Sequence, residues 1–214
     1  EKTVLANHCS KFIASDYSRT GILEENPIHK DMEFAAEQAK LAFILNVVID
    51  AEKKIINAFA GDRVKAHFEG TEFVRSLSTI DGVNADIAIT SNGGYPLDQN
   101  VYQSVKSMTA AEAAAADDGV IIEVSRCNDG HGGESFYKTF KEAEDPKDIE
   151  DRVLKIPMEE TIPDQWEIQI LARILVRHKV IFVTDPENKQ LIEDMHMTYA
   201  GSVEEAIKMA KEIK

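Results

Sequence analysis

Short apolar runs alternate with stretches of helical periodicity over the second part of the chain, from about residue 83 onward. This alternation is typical of β-α-β units that build a parallel sheet. The sequence predicts strands over 86–90, 120–124, 180–183 and 196–199, and helices over 100–116, 134–141, 163–178 and from 203 onward. Ser202, with Glu205 three positions later, forms a capping box that sets the start of the last helix. The predicted fold class is therefore α/β, with a mostly parallel sheet flanked by helices.

The first part of the chain has fewer elements and no such alternation. The sequence predicts an extended run over 3–6, a helix over 30–41, β-rich stretches over 43–49 and 54–59, and a second helix that starts at 61–62. Only four residues join the two β-rich stretches, so we expect them to form an antiparallel hairpin. These elements are too few to close a core. We therefore expect residues 1–80 to be part of a second α/β domain whose remainder precedes residue 1, and residues 81–214 to form a C-terminal α/β domain.

Charge and cysteine content exclude several classes of partner. The formal net charge is -14 and no Lys/Arg cluster stands out, which argues against binding to nucleic acid or to an anionic membrane surface. No apolar run approaches the ~20 residues that cross a bilayer, and no leader opens the chain. Cys9 and Cys127 lie far apart and form no CxxC or Cys/His cluster. We expect a soluble, cytoplasmic protein, and a small anionic ligand remains compatible with this charge.

The loop after the first strand of the second part is the first candidate for a binding site. In parallel α/β sheets, ligands bind beyond the carboxyl ends of the strands, where helix N-termini direct unsatisfied N–H groups outward. This loop reads SNGGYPLDQN over 91–100, and its paired glycines permit a turn that other residues resist. Asp98 or Asn100 is positioned to cap the following helix. The glycines lack GxGxxG spacing, which disfavours a dinucleotide-binding dehydrogenase half.

Three polar side chains follow in the first two turns of the predicted helix. Tyr102, Gln103 and Lys106 supply a phenol, an amide and an ammonium, with Gln103 and Lys106 neighbours at i, i+3. Hydrogen-bond donors at the positive end of a helix suit a small carboxylate. The alternative is an ordinary solvated helix face, which spacing alone favours.

Three further residues are candidates for chemistry. His131 lies in a second glycine-rich turn, NDGHGGE over 128–134, where it serves either in acid/base chemistry or, as its lack of a partner favours, in a hydrogen bond within the turn. His8 follows the predicted extended run, a position that suits a metal-ligating imidazole, although a lone histidine is more often structural. Trp166, the only tryptophan, begins a predicted helix and either packs in the core or covers a pocket.

Two long motifs and several short ones together resemble one known family. The long motifs are SNGGYPLDQN over 91–100 and NDGHGGESF over 128–136, and the short ones are TV over 3–4, ANH over 6–8 and NAFAGD over 57–62. They resemble the nickel-pincer-dependent lactate racemases and their homologues. The resemblance extends over essentially the whole chain, and the two long motifs carry most of its specificity.

The resemblance implies an isomerase that interconverts the stereoisomers of 2-hydroxy acids by moving a hydride to a cofactor and returning it to either face. The implied cofactor is a nickel-pincer nucleotide, pyridinium-3,5-dithiocarboxylic acid mononucleotide nickel, attached through a lysine and ligated by a histidine. That histidine matches His8. The family's contacts to the substrate carboxylate match Tyr102, Gln103 and Lys106, and a tryptophan near the substrate matches Trp166.

The family's two proton-shuttling histidines and its cofactor-linking lysine lie upstream of the position of His8, and the sequence offers no candidates for them. We therefore expect residues 1–80 to end the family's N-terminal cofactor and catalytic domain, and residues 81–214 to be its substrate-binding domain. The chain alone, without catalytic residues and with the cofactor bound mainly by the missing N-terminal domain, is expected to be inactive. The alternative is a non-catalytic α/β ligand-binding or interaction domain. The racemase interpretation expects Tyr102, Gln103 and Lys106 to face a cleft between the two parts with His8 on the opposite wall, and the alternative expects them to be scattered.

Overall fold

The computed structural model describes residues 2–214, which form two compact units. Residues 2–13 and Gly82–Lys214 make up the larger unit, and Ala14–Asp81 make up the smaller one. The helices are α1 Lys2–Asn7, α2 Ser10–Ile13, α3 Pro27–Gln38, α4 Arg63–Ser78, α5 Val101–Glu112, α6 Glu134–Lys141, α7 Pro146–Val153, α8 Gln165–Arg177, α9 Lys189–Asp194 and α10 Val203–Ile213. The strands are β1 Ile44–Ile49, β2 Ile55–Gly61, β3 Ala85–Ser91, β4 Ala115–Val124, β5 Lys179–Val183 and β6 Thr198–Ala200. None of the described helices has the length and apolar character needed to cross a bilayer.

A parallel sheet with the strand order β3-β4-β5-β6 forms the centre of the larger unit. The buried segments of its two middle strands, 120–122 in β4 and 180–183 in β5, are apolar on both faces. Ile121 and Phe182 belong to a core layer that includes residues of α5 to α9, whereas Ile122 and Ile181 pack in a second layer with α10. Strands buried on both faces need continuous rather than alternating apolar residues. The predicted α/β fold with a parallel sheet flanked by helices is confirmed.

Helix α5 is shorter than predicted. The alanine run favours a helix to residue 116, but α5 ends at Glu112. Ala115 pairs with Ala85 at the start of β4. Sheet pairing therefore overrides the helix propensity of alanine at this point. Helices α7 and α9 are additional elements that the sequence analysis did not predict.

The predicted capping box at the start of α10 consists of two hydrogen bonds, and one of them is present in the structure. Ser202 Oγ accepts the N–H of Glu205 at 3.1 Å. The carboxylate of Glu205 accepts the N–H of Gly201 at 2.8 Å instead of that of Ser202. The predicted position of the helix start is correct, although the return bond of a full capping box is shifted by one residue.

The predicted extended run over 3–6 is wrong, because residues Lys2–Asn7 form helix α1. Leu5 and Ala6 are good helix formers, and their carbonyl groups accept the N–H groups of His8 and Cys9. Ser10, the first residue of α2, connects this segment to the rest of the larger unit. Its Oγ donates to the carbonyl of Ile156 at 3.2 Å, and its own carbonyl accepts from Gln169 Nε2 at 2.9 Å. His8 therefore follows a helix and not a strand.

The smaller unit contains the predicted antiparallel pair, β1 and β2, joined by a short turn. Helix α3 begins at Pro27, three residues earlier than predicted, since Asn26 Oδ1 accepts the N–H groups of Ile28 and His29. Asp62 caps α4 in the same way. Within Ala14–Asp81, Ala66 is the only residue that is buried. This unit has little core of its own.

Candidate functional site

Two glycine-rich loops lie side by side at the carboxyl edge of the sheet. They follow β3 and β4, whose last residues Ser91 and Val124 are paired. The N–H of Cys127 donates to the carbonyl of Asp98 at 2.9 Å, and the N–H of Asp129 donates to that of Gln99 at 2.7 Å. The two loops therefore form one hydrogen-bonded rim, as expected for neighbouring strands of a parallel sheet.

Asn100 connects this rim to helix α5. Of the two predicted caps, Asn100 is the one that caps the helix, because its Oδ1 accepts the N–H of Gln103 at 3.0 Å. Its Nδ2 donates to Asp129 Oδ2 in the second loop at 3.2 Å. Gly132 has a φ of 81°, and a Cβ at this position would lie 2.5 Å from the Asn100 side chain. Only glycine lets the second loop approach the cap this closely.

The start of α5 offers no free N–H groups at its first three positions, contrary to our expectation for this loop. The carbonyl of Gly130 accepts the N–H of Val101 at 3.1 Å, and that of His131 accepts the N–H of Tyr102 at 3.2 Å. The N–H of Gln103 is bound by the cap. A ligand at this helix end would therefore meet side chains and the helix dipole rather than backbone donors.

Gln103 and Lys106 lie together on α5, as their spacing predicts. Lys106 Nζ donates to Gln103 Oε1 at 2.6 Å, and the carbonyl of Gln103 accepts from Asn92 Nδ2 at 2.9 Å. The Lys106 side chain is exposed and that of Gln103 is half-buried. An ammonium held in place by an amide, close to the positive end of a helix, is suited to binding a small carboxylate.

Tyr102 faces the beginning of helix α8. Its hydroxyl donates to Asp164 Oδ1 at 3.0 Å, and its ring packs edge-on against Phe136 with ring centres 5.4 Å apart. Burial, the nearby charge of Glu167 and the hydrogen bond to Asp164 raise the pKa of Tyr102 above its ordinary value, while a side-chain hydrogen bond with Trp166 acts in the opposite direction. The phenol therefore stays protonated at neutral pH and acts as a hydrogen-bonding group, not as a base.

His8 and Trp166 are in contact. Their ring centres are 4.9 Å apart and the ring planes are inclined by 56°. The Nδ1 of His8 lies 3.0 Å from the carbonyl oxygen of Val4, a contact that favours a proton on Nδ1 and a lone pair on Nε2. Trp166 is half-buried, so it lies at the edge of the core and not within it. His8, Trp166 and Tyr102 form a cluster within the larger unit, which also contains Lys106, so His8 does not face the other residues from a separate domain, contrary to expectation.

Glu167 is the residue of this cluster that sequence reasoning missed. Its side chain lies in the first turn of α8, is 5% exposed, and has an oxygen, Oε1, without a hydrogen-bond partner among the described residues. Burial first, and the charge of Asp164 in addition, raise the pKa of Glu167 to about 7, although Lys106 acts to lower it. Acidic residues are common in the first turn of a helix, so the sequence pattern gives no reason to single out Glu167.

His131 serves the turn in which it lies, the alternative that the sequence favoured. Its Nδ1 accepts the N–H of Gly133 at 3.0 Å, and its ring stacks on Tyr137 with centres 5.1 Å apart. Its Nε2 lies 3.4 Å from Glu134 Oε2. These contacts account for His131 without a catalytic role.

Comparison with known proteins adds four matches. Residues 80–214 match the family model described as the lactate racemase C-terminal domain. The chain is 60% identical over 210 residues to a lactate racemase of Thermoanaerobacterium thermosaccharolyticum, and 54% identical over 209 residues to one of Lactiplantibacillus plantarum. The structure of the lactate racemase apoprotein from the first organism superimposes with a TM-score of 0.95, over 98% of this chain and 50% of that one. The chain thus spans about half the length of the curated relatives it matches, since each alignment covers 98% of this chain and 49% of the relative.

Proposed function

Because the chain belongs to the lactate racemase family, we propose that it forms the C-terminal half of a 2-hydroxy acid racemase and supplies most of the substrate-binding site. The observation that supports this proposal is the convergence of side chains that are far apart in sequence. Trp166 contacts His8 and also interacts with Tyr102. The alternative, a non-catalytic interaction domain, predicts that the candidate side chains are scattered.

The substrate in this proposal is a small 2-hydroxy acid, with lactate as the first to be tested. Lys106 provides the cation for the carboxylate, and Gln103 and Tyr102 provide hydrogen-bonding groups beside it. The N-terminal dipole of α5 adds favourable charge at the same place. Together these residues fix the acid by its carboxylate, which orients the carbinol carbon for reaction.

The cofactor in this proposal is the nickel-pincer nucleotide, held mainly by the part of the enzyme that precedes this chain. His8 fits the role of one nickel ligand, since the carbonyl of Val4 engages Nδ1 and leaves Nε2 for a metal. The described residues contain no group of three or more His, Cys, Asp or Glu that could hold a metal ion, so His8 supplies a single ligand and the remaining ones come from elsewhere. When bound, the cofactor supplies a hydride acceptor.

The partner in this proposal is the N-terminal part of the same enzyme. Leu45, Val47 and Ile49 alternate along β1 and are 64%, 47% and 53% exposed, so one face of the two-stranded sheet is apolar and uncovered in the structure. An exposed apolar face of this kind is usually an interaction site that another part of a protein covers. We infer that the preceding half covers this face and contributes the proton-transferring side chains, and that the chain alone does not racemise lactate.

The direct test measures racemisation by the complete enzyme. The enzyme loaded with the nickel-pincer nucleotide is incubated with L-lactate, and D-lactate is measured by chiral chromatography. We expect conversion toward an equal mixture by the complete enzyme and none by the 214-residue chain given the same cofactor. Absence of D-lactate with the loaded complete enzyme would contradict lactate as the substrate. Turnover by the chain alone would contradict the proposal that the preceding half supplies the proton-transferring side chains.

A further inference from the structure

Glu167 is a buried acid whose oxygen Oε1 lacks a hydrogen-bond partner among residues 2–214. It is 5% exposed and follows Trp166 in the first turn of α8. A buried carboxylate normally accepts hydrogen bonds or pairs with a cation, because an unsatisfied charged oxygen loses its hydration without replacement. Glu167 is therefore poorly satisfied as an anion and is better suited to its protonated form.

The surroundings of Glu167 belong to the proposed substrate site. Lys106 on α5 and Asp164 at the start of α8 are the charged groups that act on its pKa, and its own charge acts on the phenol of Tyr102. Helices α2, α6 and α7 and strand β4 also pack against α8, and in the described part of the chain no ionisable group on them, including the buried Glu123 of β4, contributes to this shift. Among the residues that the structure describes, the exposed ammonium of Lys106 is thus the only cation that lowers the pKa of Glu167.

We propose that Glu167 is a further residue of the substrate site, which takes up a proton when Lys106 binds the carboxylate of a small acid and then donates a hydrogen bond to that acid. This inference rests on the proposed function. A bound carboxylate neutralises Lys106 and adds a negative charge beside Glu167. Both changes favour the protonated form, and the proton comes from solvent. When Glu167 is protonated, Oε1 can donate a hydrogen bond to the ligand. A charged Glu167 would repel the anionic ligand.

The pH dependence of this step follows from the position of the pKa of Glu167, about 7 in the structure. Below this value the acid is already protonated and an anionic ligand binds without repulsion. Above it, binding requires proton uptake and the affinity falls as the pH rises. The protonated fraction of Glu167 falls from about nine-tenths at pH 6 to about one-tenth at pH 8. Because lactate binds the protonated form, we expect its binding to weaken by about tenfold over this range.

The test compares the Glu167→Gln variant with the parent in the complete apoprotein, with L-lactate as the probe and its methyl resonance as the readout. Glutamine is neutral at every pH and keeps an N–H donor. We expect E167Q to bind lactate at the higher pH about as tightly as the parent does at the lower pH, with no pH dependence. The matched control is Glu204→Gln, which removes an exposed acid from the first turn of α10 and should leave the parent's pH dependence unchanged.

Three outcomes separate this inference from the proposed function. If E167Q keeps the pH dependence of the parent, or loses affinity equally at all pH values, Glu167 is a structural residue and the inference is overturned. If lactate binds to the parent and Lys106→Ala weakens it, the proposed function survives that result. If the parent binds no lactate at any pH, both fail.

A second measurement covers the case in which E167Q does not fold. Calorimetry of lactate binding to the parent near pH 7, in two buffers of different ionisation enthalpy, gives the number of protons taken up per ligand. We expect a fractional uptake, because the acid is about half protonated at its pKa. Zero uptake would overturn the inference without the variant.

Discussion

The hydroxyl of Tyr102 donates a hydrogen bond of 3.0 Å to Oδ1 of Asp164, the residue immediately before α8. This bond joins the first turn of α5 to the start of α8, two elements that carry most of the candidate site. Asp164 has a φ of 64°, and its side chain makes no capping bond to α8. An acid at this position usually caps its own helix. The carboxylate of Asp164 instead accepts a hydrogen bond from a residue of α5.

Replacing Asp164 with alanine should disturb substrate binding through Tyr102. The phenol loses its acceptor, and alanine is strained at a positive φ. We expect D164A to raise the KM for lactate by about 5- to 30-fold, which corresponds to roughly 1–2 kcal/mol. The matched control is Asp164→Asn, which keeps an acceptor oxygen and tolerates this backbone conformation. Steady-state racemisation kinetics decide the point, and an equal defect in D164N and D164A would contradict a role for the acceptor oxygen.

Lys106 should matter for substrate affinity more than for turnover. Its ammonium is the cation for the carboxylate in the proposed site, and a charged hydrogen bond contributes about 1.5–3 kcal/mol. We therefore expect Lys106→Ala to raise the KM for lactate by roughly 10- to 100-fold in the complete enzyme. Lys208→Ala, an exposed lysine on α10, controls for the change in net charge. Unchanged kinetics in K106A would remove this residue from the site.

The parts of the site that lie on one element were predictable from sequence. Helical spacing alone makes Gln103 and Lys106 neighbours, and their side chains are hydrogen-bonded in the structure. The apolar runs 120–124 and 180–183 likewise predicted the two central strands, because continuous burial leaves a distinct composition. Local rules were sufficient for these features.

The contacts between elements were not predictable in this way. Tyr102 and Asp164 are 62 positions apart, and their bond depends on how α5 packs against α8. Glu167 is ordinary in sequence and unusual only because that packing buries it. The contact between His8 and Trp166 likewise lies just after helix α1, a segment for which the local pattern predicts an extended run. The sequence identifies candidate residues, but tertiary packing determines which of them are in contact.

Gly132 allows the two loops of the rim to pack closely, and its replacement should destabilise the larger unit. In Gly132→Ala the new methyl group meets the Asn100 side chain at 2.5 Å, in addition to the strain of a φ of 81°. We expect a loss of about 2 kcal/mol or more in the free energy of unfolding, measured with urea. Gly130→Ala is the matched control, since its φ is 63° and the space around its Cβ is open. It should lose only about 1 kcal/mol from strain. Equal losses in the two variants would mean that contact with the helix cap is unimportant.

His8 is the one residue of this chain that we propose as a nickel ligand, and the prediction can be tested without measuring activity. His8→Ala removes the imidazole whose Nε2 is left available by the bond between Nδ1 and Val4. We expect the loaded complete enzyme to lose nickel on dialysis, because loss of even an outer-shell partner of a ligand weakens metal binding by about 10- to 100-fold and loss of the ligand itself should cost at least as much. His131→Ala serves as the control, since His131 is used within its own turn. Nickel content by elemental analysis should fall in H8A and remain at the parent level in H131A. If both variants retain nickel equally, His8 serves α1 and Trp166 as a structural residue.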